Sequence, residues 1–138
     1  MLCLSSRDYR KDQTMKQLFL IALLVLSSGP AYAEWVLLSS HAEVDVYVDP
    51  DTVRRKGDRV KMWELNDYKT SVRNSVLSSR EQSEYDCTEE RTRTLAITTF
   101  SGNMLGGKLL YSGSEGSNWH PVAPRTVGQA LWKFACKQ

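Results

Sequence analysis

Cysteine, basic and aromatic side chains carry the chemistry of this 138-residue chain, and their spacing narrows what that chemistry is. Cys87 and Cys136 lie far apart, and neither His41 nor His120 is close to them in sequence. A zinc site wants three or four ligands at short spacings, so a disulfide closing a loop of roughly 50 residues fits better. Five bases crowd Arg54-Arg55-Lys56-Gly57-Asp58-Arg59-Val60-Lys61. Arg54, Arg55, Lys56 and Arg59 are candidate contacts for sulfated glycans, anionic headgroups or an acidic protein patch. As a solvated hairpin edge, the same bases would discourage edge-to-edge pairing. Asp49, Asp51 and Asp58 stand nearby and dilute the field.

Catalysis finds little purchase. Ser39, Ser40, His41, Glu43 and Asp45 allow a triad to be sketched. Nothing, however, places a nucleophile on a strained turn or supplies an oxyanion hole. Gly102-Asn103-Met104-Leu105-Gly106-Gly107-Lys108 nearly spells a phosphate-binding loop, but Leu109 stands where a hydroxyl would hold magnesium. The pattern downstream of it is strand, so a glycine-rich turn is the reading. Carboxylates are scattered without metal-ligand spacing. No enzyme activity, metal or cofactor is expected. Trp119, in a polar loop, is a candidate contact residue, whereas Trp35 and Trp63 are expected in the core.

The elements that must position these groups are mostly strands. Val44, Val46 and Val48 alternate with polar positions, the period of a half-buried strand. Asp49-Pro50-Asp51-Thr52 reads as a turn that breaks it. Thr52–Arg55 and Arg59–Tyr68 flank a hairpin tip at Gly57, with Trp63 and Leu65 on one face and Val60 and Met62 on the other. Further strands end at Tyr85–Cys87, run through Leu95, Ile97 and Thr99, and include Lys108–Tyr111. Ser112–Asn118 reads as loop. Near the C-terminus the period changes. Thr126 and Gln129 form a capping box, and Val127, Ala130, Leu131 and Phe134 make one apolar helical stripe. A helix this short must dock to persist. The expected fold is α+β: a single antiparallel sheet of about six strands, with one C-terminal helix docked on it and tied by the Cys87–Cys136 bridge.

The N-terminus reads as an address. Met15-Lys16, nine apolar residues from Leu18 to Leu26 and Ala31-Tyr32-Ala33 describe a signal peptide over 15–33, cut before Glu34. Such a run is too short to span a bilayer, which needs roughly 20 residues. Residues 1–14 read as an extension upstream of the true start at Met15, and 34–138 as the working domain. Removing four bases (Arg7, Arg10, Lys11, Lys16) and two acids (Asp8, Asp12) from 18 and 16 leaves 14 of each. A net charge near zero argues against bulk attraction to nucleic acid. An oxidising compartment suits the disulfide.

Val46-Tyr47-Val48-Asp49-Pro50-Asp51-Thr52-Val53, the Gly57 turn, Val60-Lys61-Met62-Trp63, Tyr85-Asp86-Cys87 and the closing Cys136 together resemble the surface-adhesin protein E-like family of Gram-negative bacteria. The resemblance spans nearly all of 34–138 and implies a sheet with a disulfide-tethered C-terminal helix. It also implies attachment to host proteins such as vitronectin and laminin. The family's host-binding segment lies just ahead of the first cysteine and is basic; the matching stretch here holds Lys69, Arg73 and Arg80, opposed by Glu81, Glu84 and Asp86. Glu34 stands where the family's lipidated cysteine would be, so no lasting membrane anchor is expected after cleavage. The expectation is a non-enzymatic, exported binding module, periplasmic or secreted with the cell surface open to it, whose partners are extracellular or envelope proteins. A soluble periplasmic module holding a small ligand or an envelope component is the alternative. Unpaired strand edges would permit a homodimer.

Overall fold

Alternating apolar positions become ladders in the computed structural model, which describes residues 11, 13–17, 33–73 and 75–137. The leader's apolar run from Leu18 to Leu26, and Met1–Arg10 of the upstream extension, lie outside the described residues. Two compact units divide the chain, Met1–Tyr32 and Ala33–Gln138. In the first, residues 11 and 13–17 are helical. Among the described residues, no helix is long and apolar enough to cross a membrane.

The second unit holds the sheet. Strands β1 (Val36–Ser40), β2 (Val44–Lys56), β3 (Arg59–Val72), β4 (Val76–Asp86), β5 (Arg91–Phe100) and β6 (Leu109–Gly113) each pair antiparallel with the next. This meander is what short connections allow. A two-residue β7 (His120–Pro121) adds to β5 at Arg91 and Thr92, beyond the reach of β6. Among the described residues the sheet thus has seven strands, six in the path and one short addition beside it.

Helix α1 (Val127–Cys136) closes the chain over β1, β3 and β4. Thr126 caps it by accepting from the backbone of Gln129. The Gln129 side chain reaches back one residue further than a capping box requires, accepting from the Arg125 backbone N–H at 3.0 Å. The core lies between helix and sheet: Val46, Val48, Val60, Met62 and Tyr85 below, Leu131 and Ala135 above. Burying a side chain such as Leu131 contributes about 2 kcal/mol, which a ten-residue helix lacks on its own. Trp132 packs against this core and donates its indole N–H to the Asp86 carbonyl. The Cys87–Cys136 disulfide joins the end of β4 to the last turn of α1.

Three local readings need correction. Asp49-Pro50-Asp51-Thr52 is not a turn but a bulge inside one 13-residue strand. Five steps along β2, from Asp49 to Arg54, face two along β3, from Trp63 to Lys61. Thr52 makes this tolerable: its hydroxyl donates to the Asp49 carbonyl and accepts from the Trp63 N–H, standing in for the lost backbone bond. Trp35 and Trp63 are half-buried and lie outside the core cluster. Trp63 falls on the face away from the helix, where the Arg80 guanidinium covers its ring at 4.7 Å. Finally, β6 continues through Ser112 and Gly113 before the loop begins.

Candidate functional site

Side chains on directly opposed residues of a sheet share a face. Two rungs therefore cross the outer face, away from α1, at the end of the sheet nearest the β2–β3 hairpin. One runs Lys56, Arg59, Asp86, Arg91; the other runs Arg54, Lys61, Glu84, Arg93. Each acid is flanked on both sides by bases. Glu84, whose side chain is only 6% exposed, answers three cations: Arg93 at 3.0 Å, Arg59 at 3.6 Å and Lys61 at 3.9 Å. Asp86 binds Arg91 at 3.1 Å and accepts from the Thr88 and Glu89 backbone N–H groups. The Glu89 N–H foremost, with Arg91 and Thr88, holds the Asp86 carboxyl below its ordinary range, against the opposing effect of burial.

Trp119 completes the cluster. Its loop is stitched to the free edge of β5: Ser117 bonds Thr94 in both directions, and β7 begins at the next residue, His120. The indole therefore lands among the arginines. Three guanidinium carbons approach its ring centroid, Arg93 at 4.5 Å, Arg91 at 4.7 Å and Arg59 at 5.0 Å. Cation–π attraction of this kind strengthens as the partners lose water. Beside the cluster lies an open groove of about 800 Å³, with Arg54, Lys56, Arg59, Lys61 and Arg93 among its lining and the acids Asp58 and Glu89 joining Glu84 and Asp86 there.

The candidate residues part company here. Arg54, Lys56, Arg59 and Trp119 gather on this face. Arg55, though it also borders the groove, turns its guanidinium to the Cys136 carbonyl at 3.0 Å and so caps the helix C-terminus. Lys69 pairs with Asp45 at 3.3 Å toward the opposite end of β3, Arg73 follows the end of that strand, and Arg80 sits over Trp63 in mid-sheet. Arg91 and Arg93 belong to the cluster yet were absent from the sequence candidates. Their alternation with Thr92 and Thr94 was the available signal.

Other sequence motifs resolve into structure. The glycine-rich loop holds a single 3-10 turn, and its donors are taken: the Met104 N–H and the Asn103 amide both reach the Asp67 carboxylate. Ser39 bonds His41 at 2.8 Å, but Asp45 engages Ser40 instead of the imidazole, so no relay forms.

Another buried carboxyl lies on the inner face. Glu64 accepts from the Tyr85 and Ser83 hydroxyls beneath α1, next to a cavity of about 130 Å³ also bordered by Arg93 and His120. Burial, aided by the Glu81 charge directly across the ladder, pushes its carboxyl up to about 7 despite those two hydrogen bonds.

Residues 35–137 match the family model described as surface-adhesin protein E. Three solved structures of Haemophilus influenzae protein E are similar to the chain, and each match covers 78% of it. Crystal form II has 10% identity, a TM-score of 0.57 and 90% of its own length covered. The selenomethionine form has 8%, 0.59 and 89%, and a further structure 11%, 0.56 and 86%. At these identities the likeness is one of fold. No curated protein sequence matches the chain.

Proposed function

This chain belongs to the surface-adhesin protein E family, and from that premise we propose that it is an exported, non-enzymatic binding module acting as an adhesin. Its contacts are with extracellular or host proteins. The observation that carries the reading is the family match across 35–137, nearly the whole second unit. The groove with its two charged rungs is the contact face, and Arg54, Lys56, Arg59, Lys61, Arg91 and Arg93 are the residues that present charge there. Arginine-rich, partly desolvated surfaces beside an aromatic anchor are where binding energy concentrates. On this reading the leader over 15–33 directs export.

Protease shaving of intact cells against spheroplasts, with mass-spectrometric detection of peptides from 34–138, tests this. Peptides released from intact cells are the expected result. Peptides seen only after the outer membrane is opened overturn the adhesin reading and leave a periplasmic binding module.

A further inference from the structure

We propose that the outer-face groove is a binding site for an extended sulfated polysaccharide, with Trp119 as the positioning residue that gathers its arginines before the ligand arrives. This rests on the exported, adhesive reading above and names the chemistry of its contact face.

Charge comes first. The two rungs hold six bases against Glu84 and Asp86. Glu84 is shared among three of those cations, and Asp86 is already engaged by Arg91 and two backbone donors. Asp58 and Glu89 border the groove and trim this excess without reversing it. An anion entering there meets guanidinium forks whose planar donors suit the paired oxygens of a sulfate. Holding Arg59, Arg91 and Arg93 around one indole removes much of the side-chain freedom that binding would otherwise cost.

Shape comes second. Four neighbouring strands supply the rungs, a span of about 14 Å at the usual strand spacing, which suits a chain of anions better than a single ion. β3 and β4 are paired on both sides, so a peptide cannot join them as an extra strand. Among the described residues of the second unit, the exposed large apolar side chains, including Val36, Leu37, Leu109 and Tyr111, are not in the groove lining. A membrane surface would therefore find nothing to insert, and a peptide no apolar anchor pocket. Arginines surround the Trp119 ring, so nucleic-acid bases find no open platform for stacking. What remains is a ligand held by charge and bidentate hydrogen bonds alone.

Calorimetric titration of the purified protein with a heparin-derived octasaccharide tests the assignment. Four probes run beside it: the desulfated octasaccharide, a polyglutamate peptide, a single-stranded oligonucleotide and phosphatidylglycerol vesicles. The octasaccharide should bind with log K falling linearly against log salt, as expected for a polyanion that releases counterions. Removing its sulfates should weaken binding about tenfold or more. Arg54→Ala combined with Lys56→Ala, two changes at the exposed hairpin end, should weaken it about tenfold with the melting curve unchanged. Trp119→Ala should weaken it, and Trp119→Phe should restore most of the loss, a rescue that follows from ring-held guanidiniums. No binding by the folded protein overturns the proposal, as does equal binding of any other probe or indifference to the hairpin variant. Such a failure with the domain exposed on intact cells overturns the glycan site alone. Binding retained by a domain confined to the periplasm overturns the adhesive role alone.

Discussion

Glu64 and Glu84 stand on neighbouring strands, each 5% exposed, and their fates are opposite because the sheet turns them to opposite faces. Glu64 looks toward α1 and is met by two hydroxyls and the Glu81 carboxyl across the ladder; among the described residues no ion pair reaches it. Glu84 looks outward and is met by Arg59, Lys61 and Arg93. Burial is equal, so burial alone does not decide what a carboxylate does. Its neighbours do. The inner face keeps a proton-sensitive group sealed under a helix, and the outer face keeps a charge to organise cations around a groove.

Breaking the seal should have the largest effect. Cys87→Ser or Cys136→Ser frees α1 and should lower stability by about 3 kcal/mol, with roughly 4 as the chain-entropy ceiling. An unchanged thermal melt would mean that packing alone holds the helix over Glu64.

The inner carboxyl comes next. Its folded value, about 7, lies above its ordinary 4.5. The folded state therefore holds the proton more tightly, and stability present below pH 4.5 is lost as pH rises through about 7. The loss is on the order of 3 kcal/mol, and Glu81, also raised by burial, adds in the same direction. Urea midpoints at about pH 5 and about pH 8 should differ in this sense for the parent and much less for Glu64→Gln. Equal slopes in the two proteins would place the pH sensitivity elsewhere.

On the outer face, Glu84→Gln leaves three cations crowded without their shared counter-charge. Stability should fall by about 2 kcal/mol in a urea titration, and less at high salt. A fall equal to that of a surface change would show the cluster to be held by Trp119 alone. The smallest contrast sets adjacent residues against each other. Arg55→Ala removes the cap on the Cys136 carbonyl and should lower stability by about 1 kcal/mol in a thermal melt. Arg54→Ala, on the outer side, should stay within about 0.5 kcal/mol. Equal losses would erase the distinction between the two faces at this end of the sheet.

Much of the candidate site could be read from residues close in sequence. Arg54, Lys56 and Arg59 share a face because they flank a tight hairpin whose tip, Gly57, adopts φ +61°, a conformation glycine accepts without strain. Arg91 and Arg93 could not be read that way. They have the same parity as Ile97 and Thr99, which a regular strand would place on the same face. Between them the register shifts, with Gln82 opposite Ala96 and Ser83 opposite Thr94, so Leu95 is the extra residue. That single insertion sends the arginines outward and leaves Ile97 and Thr99 inward. Lys69, Arg73 and Arg80 show the converse: nearness in sequence to Cys87 did not bring them to the groove.

By itself the sequence determined the antiparallel meander, the terminal helix with its Thr126 cap and the Cys87–Cys136 link. These follow from apolar period, capping chemistry and a scarcity of alternative partners, all local or countable properties. Tertiary structure alone decided which face each charged residue took. The bulges at Asp49–Arg54 and Leu95 are set by what the neighbouring strand can pair with, and a side-chain period of two lets one extra residue reverse everything beyond it. Trp119 reached its arginines for the same kind of reason, because a two-residue strand found the edge of β5 that β6 had left open.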